Sequence, residues 1–116
     1  MRFKNEFPIG IRKDEAYRVL QKYPDRVPII CEKNSQSNAY CPDIDKRKYL
    51  VPKDLTIGQF LYVIRIRLRL GPEKALFLFA GDTIAPSSAF ISQIYNNYAH
   101  IDGFLYITYA FENVFG

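Results

Sequence analysis

The sequence predicts an α+β domain of the grasp type, in which one main helix crosses a mixed β-sheet and a helical segment precedes the sheet. The 116 residues fit one domain, and 48% of them are hydrophobic, enough for a core without disulfides or metals. Helix-like and strand-like patterns follow one another as helix, helix, β-β-α-β-α-β. Apolar runs reach only about eight residues, whereas a membrane span needs about 20.

Two helices are expected at the start of the chain. Residues 3–7 suit a short turn of helix, which Pro8 and Gly10 separate from the next helical segment. Residues 14–23 place apolar side chains at helical spacing and stop at Pro24. The first helix is therefore short and separate, and the second is amphipathic.

A hairpin with a long connection comes next. Residues 26–33 and 46–51 are strand-like, and Pro52 ends the second run. Between them, residues 34–43 are mostly polar and turn-forming, which predicts a loop.

The main helix is predicted from its start signal. Residues 64–70 alternate apolar and charged side chains, which alone would indicate a strand. However, Thr56 and Gln59 match a capping box, helical periodicity continues from there, and Gly71 supplies a stop. The capping signal and the longer pattern favour a helix.

The last third of the chain completes the sheet. Residues 75–80 form a buried strand, 81–88 a turn, 92–98 a short helix and 103–111 the final strand.

No catalytic or metal site is predicted. His100 is the only histidine and falls at a helix end or loop, and Cys31 and Cys41 lack the spacing of metal ligands. The two cysteines are expected to be reduced thiols in a cytosolic protein. Aromatic residues such as Phe77 and Phe79 lack the pattern of an RNA-recognition sheet. We therefore expect neither an enzyme nor a cofactor nor a nucleic-acid partner.

The basic second strand permits two interpretations. Alternation puts Lys46, Lys48 and Leu50 on one face. Lysines protect a free sheet edge from aggregation, but they also select acidic residues in a peptide that adds to that edge. This segment alone leaves both interpretations open.

Several blocks of the sequence resemble the autophagy-related ubiquitin-like modifier family of the GABARAP type. The similarity runs colinearly from about residue 20 to Gly116, and the loop at 34–42 looks longer than usual in that family. The blocks are residues 22–30, 48–52, 54–60, 75–79 and 105–107.

The resemblance implies a ubiquitin-like β-grasp with a four-stranded mixed sheet and a crossing helix, preceded by two N-terminal helices. Residues 1–24 would be a helical extension packed on the core, and 25–116 the ubiquitin-like domain with a conjugatable tail. In the family, an E1-like enzyme activates the C-terminal glycine carboxylate, here Gly116. An E2-like enzyme then joins it to phosphatidylethanolamine. A cysteine protease processes or delipidates such proteins. Because no residue follows Gly116, we expect either that the gene encodes the mature form directly or that the residues beyond the glycine have been removed.

The resemblance also implies a peptide groove with two pockets for a W/F/Y-x-x-L/I/V motif of cargo receptors. The pocket for the aromatic residue would comprise Glu15, Val19, Pro28, Ile30, Lys48, Leu50 and Phe104. The pocket for the aliphatic residue would comprise Tyr49, Val51, Pro52, Leu55, Phe60 and Val63. The contacts to acidic flanks would be Arg26, Lys46 and Arg67. Leu55 and Phe60 also match a hydrophobic staple at the start of the main helix, so core and groove roles remain open for both.

The functional expectation is a monomeric modifier that is cytoplasmic until lipidation places it on autophagosomal membranes. The alternative is a ubiquitin-like interaction module that is never conjugated and binds peptides or acidic cytoskeletal surfaces.

Overall fold

A computed structural model describes residues 1–115, and the last residue, Gly116, lies outside the described part. The described residues form four helices and five strands in the predicted order, with one short strand added. The elements are α1 (Arg2–Glu6), α2 (Ile9–Lys22), β1 (Arg26–Lys33), β2 (Lys48–Pro52), α3 (Ile57–Leu68), β3 (Phe77–Ala80), β4 (Thr83–Ile84), α4 (Ile91–Tyr98) and β5 (Leu105–Ala110).

The strands form one mixed sheet in the order β2-β1-β5-β3-β4. The first and last long strands, β1 and β5, pair in parallel at the centre, and every other pairing is antiparallel. This topology, with α3 crossing between β2 and β3, confirms the predicted α+β grasp fold. The sheet has five strands rather than four, because the segment expected to be only a turn contains β4.

The predicted capping box starts α3. The Thr56 hydroxyl accepts a hydrogen bond from the Gln59 N–H at 3.1 Å, and the Gln59 side chain accepts one from the Thr56 N–H at 2.9 Å. The helix ends earlier than the predicted stop at Gly71, because Arg69 takes the left-handed conformation with φ +58°. Local capping therefore outweighs the alternating pattern of residues 64–70.

Other element boundaries differ from the prediction by a few residues. The second helix begins at Ile9 instead of residue 14, because Pro8, at φ −64°, stands at its N-cap and its carbonyl accepts from Arg12 N–H. The second strand begins at Lys48 instead of residue 46 and includes Pro52, which is tolerated because β2 is an edge strand.

Two apolar layers cover the two faces of the sheet. The larger layer packs α3 and α4 side chains such as Phe60 and Ile91 against Ile29 and Ile107. The smaller layer packs the N-terminal helices onto the opposite face, and it consists of Phe3, Ala16, Ile30 and Phe104 with Phe7 and Tyr106 at its margin. The N-terminal helices are thus part of the packed structure.

A buried ion pair fixes α2 to the turn before β5. Arg12 donates to Asp102 at 2.6 Å, and both side chains are almost completely buried. Asp102 also accepts from the Tyr106 hydroxyl at 2.5 Å and from the Phe104 N–H at 2.9 Å. Burial alone would raise the pKa of Asp102, but hydrogen bonds from Tyr106, Phe104 and Arg12 outweigh it and lower the pKa below its usual value.

Candidate peptide-binding groove

The edge strand β2 offers backbone groups to a partner. The Arg47 carbonyl accepts from the Cys31 N–H at 2.8 Å, and the Lys53 N–H donates to the Asp25 carbonyl at 3.1 Å, so these positions face β1. Because successive residues of a strand point their backbone groups to opposite sides, Lys48 and Leu50 direct theirs away from β1. An extended peptide can therefore pair with β2 at the open edge.

A cavity of about 280 Å³ lies beside this edge, between β2 and α2. Of the predicted aromatic-pocket residues, all except Ile30 line it: Glu15, Val19, Pro28, Lys48, Leu50 and Phe104. Lys46 and Tyr49, which were expected elsewhere in the groove, line it as well. Ile30 is completely buried in the smaller apolar layer together with Phe104, so it does not line the cavity.

An ion pair spans this cavity from helix to strand. The Lys48 ammonium lies 2.9 Å from the Glu15 carboxylate and over the rings of Phe3 and Phe7, at 5.4 and 5.9 Å from their centroids. Both charged side chains are partly exposed, so the pair itself contributes little to stability. Lys48 is thereby held at the cavity, where a carboxylate of a bound peptide can replace Glu15.

The residues predicted for the aliphatic pocket differ in exposure. Phe60 has no exposed surface and packs edge-on against Tyr49 at 5.4 Å, so it forms part of the core. Leu55 is half-buried against the same core, while Val63 is 40% exposed. Val51 is buried and Pro52 is exposed. The accessible surface of this set thus comes from Pro52, Leu55 and Val63.

Of the three predicted acidic-flank contacts, Lys46 lines the cavity beside α2, whereas Arg26 lines a different cavity and Arg67 lines neither. Each of the three already has a neighbour. Arg26 stacks on Tyr23 at 5.4 Å, and Lys46 lies 5.0 Å from the Tyr49 ring. Arg67 donates to Asp45 at 2.8 Å. The segment that precedes β2 therefore already supplies Arg67 with a carboxylate. Sequence spacing could not reveal this contact, since the two residues are far apart in the chain.

The two cysteines and the histidine among the described residues occupy structural positions. Burial raises the pKa of the Cys31 and Cys41 thiols, which makes them poor nucleophiles. The ring of His100 accepts a hydrogen bond from the Asp102 N–H through Nδ1 at 3.2 Å and thus serves a turn. Residues 1–115 hold no cluster of three or more metal-ligating side chains. None of the helices in this range has the length and apolarity that crossing a bilayer requires.

The predicted conjugation residue, Gly116, lies outside the described residues. Its neighbour Phe115 packs edge-on against Phe79 of β3, with ring centroids 5.2 Å apart, and is 40% exposed. The chain is therefore in contact with the sheet up to its penultimate residue.

The grasp topology with a helix across a mixed sheet defines a ubiquitin-like protein. The family described as "Autophagy protein Atg8 ubiquitin like" matches residues 11–116. Autophagy-related protein 8 of Coccidioides immitis is 55% identical over 115 residues, covering 99% of this chain and 97% of its own. Its Saccharomyces cerevisiae counterpart is 54% identical over 114 residues, covering 98% and 96%.

Two solved structures are also similar. Trypanosoma brucei ATG8 superposes with a TM-score of 0.89 at 44% identity, covering 95% of this chain and 93% of that one. Plasmodium falciparum Atg8, solved in complex with a Plasmodium falciparum Atg3 peptide, gives a TM-score of 0.86 at 26% identity, covering 95% of both chains. The chain belongs to the Atg8 family and is an autophagy ubiquitin-like modifier.

Proposed function

We propose that this chain is attached through the Gly116 carboxylate to the amine of phosphatidylethanolamine. An E1-like enzyme would use ATP to activate the carboxylate and pass it to its own cysteine as a thioester. An E2-like cysteine would accept the thioester, and the lipid amine would then displace that thiol to form an amide. The chain is the substrate of these reactions. Because glycine has no side chain, the carbonyl of Gly116 is open to attack. The complex of the Plasmodium relative with an Atg3 peptide supports an E2-like partner.

Lipid attachment would place the protein on the autophagosomal membrane. One acyl chain binds a protein to a bilayer only marginally, whereas the two chains of a phospholipid anchor it stably. The free protein would be cytoplasmic and monomeric, and a cysteine protease would release it again by hydrolysing the amide.

The groove would recruit cargo receptors that carry a W/F/Y-x-x-L/I/V motif. The observation that carries this proposal is the open edge of β2 beside a cavity of about 280 Å³ that contains Lys48 and Leu50. The aromatic residue would enter this cavity while the peptide backbone pairs with the edge. The aliphatic residue would pack on the surface formed by Pro52, Leu55 and Val63, and Lys46 would attract acidic flanks.

Substitutions in β2 are expected to weaken peptide binding. In a calorimetric titration with a peptide that contains an acidic flank and a W-x-x-L motif, Lys48→Glu should weaken the affinity by about tenfold or more, because it replaces attraction by repulsion. Leu50→Ala should weaken it by a similar factor, because it removes apolar contact from the cavity wall.

The matched control is Lys13→Glu, which makes the same charge change on the exposed side of α2. It should leave the affinity within about twofold of the unmodified protein, apart from a small long-range effect that salt screens. Equal affinities for Lys48→Glu, Leu50→Ala and the unmodified chain would refute the groove assignment.

A further inference from the structure

Glu32, near the end of β1, has a buried carboxylate that is only half satisfied. Its side chain is 9% exposed. One oxygen, Oε2, accepts from the Phe3 N–H at the start of α1 at 3.3 Å and lies 3.5 Å from the Arg47 guanidinium. The other oxygen, Oε1, has no hydrogen-bond partner among residues 1–115. A buried charged acceptor without a donor is costly, so this atom points to a donor that another molecule supplies.

Glu32 lines two adjoining cavities between α1, β1 and the segment that leads to β2. Their volumes are about 200 and 390 Å³, and they share Arg2, Glu32, Lys33 and Asp43 as walls. A water molecule occupies about 30 Å³ of liquid, so the space admits a whole side chain. These cavities share no lining residue with the groove beside α2.

The cations near Glu32 in the described part of the chain leave Oε1 without a donor, although the Arg47 guanidinium lies 3.5 Å from Oε2. Arg47 makes two hydrogen bonds to Glu6, at 2.5 and 3.0 Å. Arg2 donates to Asp43 at 3.2 Å, and Lys33 donates to the Cys41 carbonyl at 3.2 Å. Asp43 also lies 3.8 Å from the Lys33 ammonium, but its side chain is 59% exposed and lines both cavities, so its carboxylate retains acceptor capacity.

We propose that these cavities are a binding site for an arginine side chain of a partner protein. The planar guanidinium has several N–H donors in a fixed fork, so it can donate to Glu32 and to Asp43 together. The Arg2 side chain would move aside to admit the guanidinium. It is 73% exposed, and its hydrogen-bond partner among the described residues is the exposed Asp43. The site is thus a second protein-binding surface, independent of the motif groove.

The test is an NMR titration of the isotope-labelled full chain with N-acetyl-arginine amide. Its neutral isostere N-acetyl-citrulline amide serves as the matched probe. The arginine probe should produce saturable shifts of the Phe3, Glu32 and Ser35 amides, and the citrulline probe should bind at least about tenfold more weakly, since charge-assisted hydrogen bonds are the stronger ones.

Three variants separate binding from folding. Glu32→Gln should weaken arginine binding by about tenfold or more, whereas Glu6→Gln, an exposed carboxylate that also contacts Arg47, should not weaken it. Arg2→Ala should leave binding unchanged or strengthen it, because it empties the cavity mouth. Equal shifts with both probes, or binding in Glu32→Gln as tight as in the unmodified chain, would overturn the proposal and assign the unpaired oxygen to water.

Discussion

Replacing Asp102 by asparagine is expected to lower the free energy of unfolding by about 3 kcal/mol, since removing one partner of a buried ion pair leaves the other charge uncompensated. The carboxylate contacts Arg12 of α2, the Tyr106 hydroxyl and the Phe104 N–H, so one change weakens the attachment of the N-terminal helices and of β5 together. Urea unfolding at pH 7, followed by circular dichroism, measures the loss. Asp54→Asn, an exposed aspartate, is the matched control and should change little.

The same variant should change the acid dependence of stability. The pKa of Asp102 in the folded protein lies below its value in the unfolded chain. Its contribution is therefore fully present above the ordinary aspartate pKa of about 3.9 and is lost as the pH falls below that value toward the folded pKa. A plot of the free energy of unfolding against pH, from pH 7 to pH 3, should be flatter for Asp102→Asn than for the unmodified chain. Parallel curves would show that Asp102 does not carry this stabilisation.

Gly103→Ala is expected to destabilise the fold by about 2–4 kcal/mol through strain and overlap. Gly103 has φ +93°, a region that residues with a side chain rarely adopt, and an added Cβ would lie 2.9 Å from the Cβ of Ala16 in α2. The substitution therefore forces α2 away from the turn before β5. Its effect should appear both in urea unfolding and as loss of protection of the α2 amides against hydrogen exchange.

Gly10→Ala is the control with the opposite expected sign. Gly10 lies within α2, and an added Cβ would meet nothing within 4 Å. Alanine loses less backbone entropy than glycine on entering a helix, so this variant should gain up to about 1 kcal/mol. Equal effects of the two substitutions would contradict the packing of α2 against Gly103.

Local signals in the sequence were sufficient for most of the fold. The strand at 26–33 has the predicted bounds, and the Thr56–Gln59 capping box starts α3 as expected because both partners are close in the chain. The short strand β4 was missed, since Thr83 and Ile84 are exposed and pair only once Gly81, at φ +60°, turns them back onto β3. Such pairing depends on contacts that no local pattern encodes.

The site shows the same division between local and long-range information. Alternation along the second strand put Lys46, Lys48 and Leu50 on one face, and all three line the cavity beside α2, although Tyr49 lines it as well. The contact of Arg67 with Asp45 and the half-satisfied carboxylate of Glu32 depend on residues distant in the chain, so periodicity could not predict them. The staple pattern left open whether Phe60 belongs to the core or to the groove. Its complete burial assigns it to the core.

Reconstituted lipidation tests the central claim most directly. The full chain would be incubated with the matching E1-like and E2-like enzymes, ATP and liposomes that contain phosphatidylethanolamine, and the products separated by electrophoresis and analysed by mass spectrometry. We predict a faster-migrating product whose mass equals that of the protein plus the lipid minus one water, with the bond on Gly116 and no such product from Gly116→Ala. Absence of that product with active enzymes, or equal conversion of Gly116→Ala, would contradict the account and favour a ubiquitin-like interaction module that is never conjugated.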